Sequence, residues 1–335
     1  MPDARRPGRM HAVLALAVVL IAACGAPQKE GQLPKLGADG ALTVSGISSG
    51  GYMAGQYLVA HSSRVAGAAI VAAGPWGCAL GSMQAALSVC ISGDGIDNDA
   101  LHERAEALAM SDRIDALSHL GDARLMLFRG SRDAVIGAAA MQRARSWFGR
   151  YVDAAGIVEV DDVPAAHGWP TKEFGAVCDS FEAPFINRCD YDLAGELLSH
   201  LYPGLASPPS EAEGDLEVFE QKPFGDANLA DTGYVYVPAA CRAEDGCGVH
   251  VFFHGCDQSA ASIGTTLADN AGFNAWAEAN RIVVLYPQVE PSRLAPLNPL
   301  GCWDWWGYGG DNYLARTAPQ ISAVDAMVKT LAAER

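Results

Sequence analysis

Residues 42–57 constrain the fold of this chain more than any other stretch. They read LTVSGISSGGYMAGQY, in which a run typical of a β-strand leads into Gly46-Ile47-Ser48-Ser49-Gly50 and then into a predicted helix. A G-x-S-x-G pattern between a strand and a helix is typical of a nucleophile elbow, a strained turn that raises a serine hydroxyl above the edge of a sheet. Ser48 is therefore the candidate nucleophile. Because the chain contains 36 glycines, an ordinary glycine-rich turn is the simpler reading of the same five residues.

A nucleophilic serine needs a base to remove its proton and an acid to orient that base. Asp133 follows the predicted strand 123–128, and His167 lies in a loop after the predicted strand Ile157–Val160. The resulting chain order, Ser then Asp then His, is the order that enzymes with this elbow use. We predict that His167 is the general base and Asp133 the triad acid, although a turn or helix-cap role is the common one for such an aspartate.

Two backbone N–H groups are the candidate donors of an oxyanion hole. The predicted strand 248–253 ends in His254-Gly255, which resembles a loop in which the N–H after the glycine faces the developing oxyanion. We predict that Cys256 N–H is one donor and Ser49 N–H the other. The alternative for His254-Gly255 is a simple turn.

The amino terminus has the pattern of an export signal. Three arginines precede the apolar run 12–23, which is too short to span a bilayer, so residues 1–23 are predicted to be a signal peptide. The run ends in LIAACG, which resembles a lipobox with Cys24 as the lipid-bearing first residue; ordinary cleavage nearby is the alternative. The expected location is the outer membrane or cell surface for a lipoprotein, and the periplasm or medium otherwise. Residues 24–40 are predicted to be a tether.

The cysteine count agrees with export. Setting Cys24 aside leaves eight of the nine cysteines, which an oxidising compartment would join as four disulfides. Spacing does not prove the connectivity, since eight cysteines allow 105 pairings. The spacing favours Cys78 with Cys90, Cys178 with Cys189, and Cys241 with Cys247, which leaves Cys256 with Cys302. The sequence has no C-x-x-C pair or H-E-x-x-H motif, so we predict no metal site.

Residues 41–335 are predicted to form a single catalytic α/β domain. Predicted strands and helices alternate along it, with a polar, proline-bearing connection at 204–218 between two halves. Residues 79–121 have helical spacing in place of a strong strand, and are either a lid or a helix packed on the sheet. The net charge of −16 argues against nucleic acid as a partner, because phosphate contacts require clustered lysine and arginine.

The order of the elements resembles that of an α/β-hydrolase with its ends rejoined. In the usual order, the oxyanion strand and loop come before the nucleophile strand, whereas here they follow His167. Joining the last predicted helix to Ala41 would restore the usual order, which is a circular permutation. We therefore predict a circularly permuted α/β-hydrolase fold with a central, mostly parallel sheet flanked by helices.

Three motifs resemble the single-domain, circularly permuted poly(3-hydroxybutyrate) depolymerases, which are serine esterases. These motifs are SGISSGGYM at 45–53, FHGC at 253–256 and GCWDWWGY at 301–308. The resemblance implies the same triad and oxyanion donors, an acyl-enzyme, no cofactor, and a polyester or oligoester substrate. It also implies that Trp303, Trp305, Trp306 and Tyr308 form an aromatic rim of the substrate crevice. We expect at least half of these four side chains to lie in the core instead.

Two alternatives to a depolymerase stay open from the sequence. One is a carboxylesterase acting on feruloyl or acetyl esters, since fold does not settle substrate. The other is a lipid-anchored binding protein on a hydrolase scaffold without catalysis. In each case we expect a monomer, with membrane contact only through the N-terminal anchor.

Overall fold

The computed structural model of the chain describes residues 1, 31–209 and 212–335. The predicted signal peptide after residue 1 and the lipid-type Cys24 lie outside these described residues. Within them, no helix is long and apolar enough to cross a bilayer.

The described residues form one sheet of eight strands and one of three, in which every strand is short. The strands are β1 (Leu42–Ile47), β2 (Val65–Val71), β3 (Arg124–Phe128), β4 (Ile157–Val160), β5 (Trp169–Thr171), β6 (Ala176–Val177), β7 (Ile186–Arg188), β8 (Asp215–Glu220), β9 (Thr232–Val237), β10 (Gly248–Phe253) and β11 (Ile282–Tyr286). The large sheet has the order β4-β3-β2-β1-β10-β11-β9-β8, and the small sheet has the order β5-β7-β6.

Helices cover both faces of the large sheet and connect its strands. The α-helices of the described residues are α1 (Ser49–Ala60), α2 (Met83–Ala85), α3 (Asn98–Met110), α4 (Ala138–Phe148), α5 (Leu193–Leu201), α6 (Ala239–Ala243), α7 (Ala260–Ile263), α8 (Thr266–Asn270), α9 (Phe273–Asn280) and α10 (Pro319–Ala332). Short 3₁₀ or π turns lie at Ala86–Cys90, Leu117–Leu120, Ala154–Gly156 and Lys222–Phe224.

The centre of the large sheet is parallel and buried on both faces. Strand β1 pairs in parallel with both β2 and β10, and each of its six residues is buried. A continuous apolar or small-residue strand of this kind needs helices on both sides, because neither face can be left to water. Strand β9 is antiparallel to both β11 and β8. The predicted α/β class, with a mostly parallel sheet flanked by helices, is confirmed.

The sheet joins two halves of the chain at the β1–β10 pair. Strands β1 to β4 come from the first half, and β8 to β11 from the second. The two ends of the domain lie side by side: Leu36 N–H donates to Leu331 O at 3.1 Å, and Gly37 N–H to Ala333 O at 2.9 Å. Adjacent ends are what a circular permutation requires, because a short link could rejoin them.

Two segments differ from the sequence expectations. Residues 31–40, the described part of the predicted tether, pack on the domain: Leu33 and Leu36 are buried, and Gly31 bridges to Phe219 of β8. The predicted connection 204–218 contains the start of β8, which pairs with β9 over six residues. Its alternating sequence DLEVFE is weakly apolar because it forms the sheet edge, with one face half exposed.

Four disulfides join the cysteines of the described residues. They are Cys78–Cys90, Cys178–Cys189, Cys241–Cys247 and Cys256–Cys302, the pairs that the spacing favoured. Four disulfides in one chain are typical of proteins that fold outside the cytosol, which agrees with export.

Candidate active site

Ser48 occupies a strained turn between β1 and α1. Its backbone has φ 56° and ψ −122°, a region that residues with a side chain rarely adopt. Two hydrogen bonds hold the turn: Ser48 N–H donates to Val71 O at 2.9 Å, and Tyr52 N–H donates to Ser48 O at 3.1 Å. The structure therefore contains the strained strand-to-helix turn that the sequence predicts, with Ser48 at its apex.

The first and last glycines of the pentapeptide are required by close backbone approach. A Cβ on Gly46 would overlap the carbonyl of Gly50, and a Cβ on Gly50 would overlap the carbonyls of Phe253 and His254 at the end of β10. The first turn of helix α1 thus lies directly against the ends of β1 and β10. This contact places the first turn of α1 beside the loop after β10.

Asp133 and His167 form a buried hydrogen-bonded pair. His167 Nδ1 lies 2.8 Å from Asp133 Oδ2. The other carboxylate oxygen, Oδ1, accepts from Val135 N–H at 2.8 Å and from Ile136 N–H at 2.9 Å. The carboxylate is thus oriented by its own turn, and it leaves His167 Nε2 as the ring nitrogen that can take a proton from a substrate or a serine.

Backbone contacts hold the two loops that carry this pair. Ser131 N–H donates to Val163 O at 2.7 Å, and Arg132 N–H donates to Ala165 O at 3.1 Å. Ala166 N–H donates to Cys178 O at 2.9 Å, so the disulfide-closed loop after β6 also supports the residue before His167. The loops after β3 and β4 come together because both leave the carboxyl edge of neighbouring parallel strands.

The candidate oxyanion donors belong to two segments that meet at the same edge. Ser49 is the first residue of α1, where backbone N–H groups have no partner within the helix. Cys256 lies two residues after His254 in the loop that follows β10. Its disulfide to Cys302 ties this loop to the tryptophan-rich segment, and Trp303 N–H donates to Ser49 Oγ at 3.3 Å.

A cavity of about 270 Å³ lies between these loops. Ser48, His167 and Cys256 line it, while Asp133 lies behind His167. Most of the wall is apolar, formed by Ile47, Tyr52, Leu87, Ile91, Val135, Ile136, Phe181, Phe185, Leu300 and Trp305. The cavity therefore suits an uncharged, apolar ester next to the serine.

The inserted segment 79–121 contributes to this cavity and also packs on the domain. Leu87, which is 60% exposed, and Ile91 line the cavity. Helix α3 instead buries Leu101 and His102, whose ring stacks on Trp147. The packing role is thus present in helix α3, while the lid role stays a prediction for the part of the segment that lines the cavity.

Of the four predicted rim aromatics, Trp305 lines the cavity. It stacks on Tyr52 with ring centroids 4.1 Å apart, and its buried Nε1 has no hydrogen-bond partner within the described part of the chain. Trp303 is fully buried against Phe253, and Trp306 is buried beside Tyr308. Trp303, Trp306 and Tyr308 are not among the residues that line the cavity.

A second serine–histidine pair lies in the sheet and away from the cavity. Ser45 Oγ and Thr43 Oγ1 are each 2.7 Å from a ring nitrogen of His250. All three side chains are fully buried, and burial lowers the pKa of His250 to about 3. With both nitrogens occupied and no opening to the cavity, His250 is a neutral core residue.

Sequence reasoning missed Gln258 and Tyr52, which shape the site. Gln258 is buried; its Oε1 accepts from Gly255 N–H at 2.8 Å, and its Nε2 donates to Phe185 O at 3.0 Å. Gln258 thereby links the candidate oxyanion loop to another part of the cavity wall. Its place two residues after Cys256 was the available signal, but a polar residue in a loop is too common to single out.

Among the described residues, no group of three or more His, Cys, Asp or Glu side chains is placed to hold a metal ion.

Known proteins are similar to this chain in sequence and in fold. No family model matches. A poly(3-hydroxybutyrate) depolymerase of Delftia acidovorans is 37% identical over 328 residues, which are 95% of this chain but 65% of that protein. A polyhydroxybutyrate depolymerase of Talaromyces funiculosus is 33% identical over 306 residues, 87% of this chain and 89% of that one.

Two solved structures match the fold. The crystal structure of PHB depolymerase from Penicillium funiculosum superposes with a TM-score of 0.85 at 30% identity, covering 90% of this chain and 99% of that one. A serine-to-alanine variant of a PHB depolymerase, complexed with an R3HB trimer, matches with the same values. The resemblance drawn from the three sequence motifs is confirmed, and this chain belongs to the PHB depolymerase family of α/β-hydrolase type.

Proposed function

We propose that the chain is a serine esterase that hydrolyses poly(3-hydroxybutyrate) or its oligomers through an acyl-enzyme. The observation that carries this proposal is the apolar cavity in which Ser48, His167 and Cys256 meet, with Asp133 bonded to His167. The depolymerase names of the relatives and the trimer bound to one of them support the same substrate class.

The proposed reaction begins with attack of Ser48 Oγ on the ester carbonyl. His167 Nε2 takes the serine proton, because Nδ1 is engaged with Asp133, and the Asp133 carboxylate stabilises the imidazolium that results. The carbonyl oxygen becomes an oxyanion, which Ser49 N–H and Cys256 N–H stabilise. His167 then protonates the alkoxide of the leaving hydroxyacid, and an acyl-Ser48 ester remains.

Water completes the cycle by the same route in reverse. His167 removes a proton from water as the hydroxide attacks the acyl carbon, and then returns that proton to Ser48 Oγ. The products are a shortened chain with a free hydroxyl end and a free hydroxyacid or oligomer. No step needs a cofactor or metal.

The cavity and its surroundings suit a polyester of short hydroxyacids. Such a chain offers methyl groups and ester carbonyls and no charge, so the apolar wall binds it by burial worth about 25 cal/mol per Å². Trp305 contributes ring surface to this wall, while its Nε1–H is buried without a partner among the described residues. Leu87, Phe181 and Leu300 line the cavity and are 49–60% exposed, which gives its mouth an apolar surface.

The test is hydrolysis by the purified domain. Amorphous poly(3-hydroxybutyrate) and soluble (R)-3-hydroxybutyrate trimer are incubated with wild type, with Ser48→Ala and with Ser45→Ala, and the products are followed by mass spectrometry. We expect release by wild type and Ser45→Ala, because Ser45 belongs to the core pair with His250. Turnover by Ser48→Ala, or loss in both variants with the fold intact, would contradict the assignment.

Parallel assays on feruloyl and acetyl esters of sugars address substrate class. Faster turnover of these than of the trimer would favour the carboxylesterase alternative, while no turnover of any ester would favour a binding protein. Cutting of the trimer but not of the polymer would make the protein an oligomer hydrolase.

We also propose that Cys24 is the lipidated first residue of the exported protein. The support is the LIAACG sequence that ends the apolar run. Labelling the expressing bacterium with a fatty-acid analogue should mark the wild-type protein but not Cys24→Ser. Unlabelled wild type would make the protein freely secreted or periplasmic.

A further inference from the structure

Asp257 places a negative charge on a cavity wall that is mostly apolar. It lines the cavity directly after Cys256, the residue proposed as an oxyanion donor. Asp257 is half-buried, and its Oδ1 accepts from Ser262 Oγ at 2.7 Å. It takes part in none of the ion pairs found among the described residues. No cation of the described chain at ion-pair distance therefore balances the charge of this carboxylate.

The surroundings of the cavity also lack a compensating positive charge. Within the part of the chain that the structure describes, no lysine or arginine lines the cavity. An open groove shares Ile91 and Val135 with the cavity, and the charged residue that lines this groove is another aspartate, Asp94. An anion that enters either space thus lies near negative side chains and far from positive ones.

The backbone of Asp257 is held by its neighbours. Asp257 N–H donates to Leu300 O at 2.7 Å, and the preceding Cys256 is joined to Cys302 by a disulfide. The φ of Asp257 is 59°, in the left-handed region, which aspartate and asparagine adopt more readily than most residues with a side chain. Together with the bond from Ser262, these contacts keep the carboxylate beside the candidate oxyanion loop.

The proposed reaction forms an anion next to this carboxylate. In deacylation the oxygen of water bonds to the acyl carbon, the bond from that carbon to Ser48 Oγ breaks, and His167 returns a proton to Oγ. The released carboxylic acid gives its own proton to water and is a carboxylate at neutral pH. It forms beside the proposed donors Ser49 N–H and Cys256 N–H, which would retain it as they retain the oxyanion.

Asp257 distinguishes this product from the transition state by net charge. In the transition state the oxyanion lies close to the imidazolium of His167, so the two new charges are opposite and together interact weakly with a third charge. In the product complex His167 is neutral, and the carboxylate adds one whole negative charge. Repulsion by Asp257 therefore raises the free energy of the product complex more than that of the transition state.

We propose that Asp257 is a specificity-determining residue that expels the acid product: its carboxylate repels the carboxylate formed at Ser48 and so limits product inhibition. The proposal rests on the proposed esterase function. A residue that only supported the loop would affect charged and uncharged products alike, because its role would not depend on their charge.

The test compares inhibition by 3-hydroxybutyrate with inhibition by its uncharged amide, 3-hydroxybutyramide, in wild type and in Asp257→Asn. Asparagine tolerates the left-handed backbone, and its amide oxygen can still accept from Ser262 Oγ, so charge is the main change. The substrate is the methyl ester of the trimer, which is uncharged. The Ki of the acid should fall about fivefold in the variant, the effect of one unit charge at close range in wet surroundings. The Ki of the amide should stay within about twofold, because no charge acts on it.

Asp269→Asn is the matched control. Asp269 also accepts from a hydroxyl, Thr265 Oγ1 at 2.6 Å, but it is not among the residues that line the cavity. Its replacement changes the net charge by the same amount, and both Ki values should stay at those of wild type. An unchanged Ki of the acid in Asp257→Asn, an equal change for acid and amide, or the same fall in Asp269→Asn would overturn the proposal.

Binding measured without turnover separates this proposal from the proposed function. In the Ser48→Ala background, NMR titrations with the acid and the amide give their Kd values with and without Asp257→Asn. The ratio of the Kd of the acid to that of the amide should be about fivefold lower without the Asp257 carboxylate, and added salt should reduce this difference by screening. Equal ratios would overturn the proposal. Failure of wild type to cleave any ester would instead remove the proposed function, which is a separate result.

Discussion

Asp133→Asn tests the triad most directly, because the structure determines how the new amide must lie. Val135 N–H and Ile136 N–H both point at Oδ1 of the aspartate. The amide oxygen of asparagine will occupy that position, since an NH₂ group there would face two donors. The NH₂ group is then left beside His167 Nδ1, which is 2.8 Å from the second carboxylate oxygen in the wild type.

This arrangement forces the wrong tautomer on the base. Facing an NH₂ donor, His167 Nδ1 must accept, so the neutral ring carries its proton on Nε2 and cannot take one from Ser48. Turning the amide over would leave two buried N–H groups unsatisfied, at about 1–3 kcal/mol each. That cost of about 2–6 kcal/mol corresponds to roughly 30-fold to 10⁴-fold in rate. The lost carboxylate charge adds to it, so we expect a loss near the upper end, about 10⁴-fold.

The assay is kcat/KM on soluble (R)-3-hydroxybutyrate trimer, with urea unfolding measured in parallel. Asp133→Asn should unfold much like wild type, because it still accepts from both backbone N–H groups. Asp133→Ala should lose activity and also about 2–6 kcal/mol of stability, because the same two N–H groups lose their acceptor. A stable Asp133→Asn variant that keeps more than about a tenth of wild-type kcat/KM would refute the reasoning, since the wrong tautomer cannot be that active.

Three further predictions concern the elbow, the cavity and the core. Gly50→Ala places a Cβ against the Phe253 carbonyl, so urea unfolding should show a loss of about 1–3 kcal/mol; unchanged stability and activity would contradict the close approach. Trp305→Phe keeps the stacking on Tyr52 and removes an Nε1–H that is buried without a partner among the described residues, so kcat/KM for the trimer should stay within about threefold of wild type; a larger loss would show that Nε1–H bonds to substrate. Burial lowers the folded-state pKa of His250 to about 3, so its contribution to stability is fully present above pH 6.5 and is lost as the pH falls toward about 3. His250→Gln should therefore flatten the dependence of the unfolding free energy on pH, by about 1 kcal/mol per pH unit near pH 5.5. An unchanged slope would show that His250 is not buried as a neutral ring.

The elements that the sequence predicted well share a local physical cause. The turn at Ser48 needs small residues on both sides and a strand and helix around it, and all of these are adjacent in the chain. Asp133 and His167 each follow a strand of apolar residues, and parallel strands bring such ends to one edge. Cysteines close in sequence pair readily because closing a short loop costs little entropy.

Other features depended on contacts between distant segments. Strand β8 and residues 31–40 have polar sequences because they lie at the surface of the fold. Only the pairing of β8 with β9, and the hydrogen bonds of residues 36–38 to the end of α10, show that these segments are ordered. The cavity wall likewise includes Gln258, whose role appears only when the Phe185 carbonyl is in place.

The sequence by itself determined the nucleophile candidate, the order of the candidate triad, the fold class and the family, because these follow from local backbone geometry and from motifs. Only the tertiary structure decided which aromatic side chain reaches the cavity and which forms the core. Trp303 and Trp305 are two residues apart and equally apolar, yet Phe253 buries the first while Tyr52 holds the second at the cavity wall. That choice is made by residues about 50 and 250 positions away, and no local pattern records it.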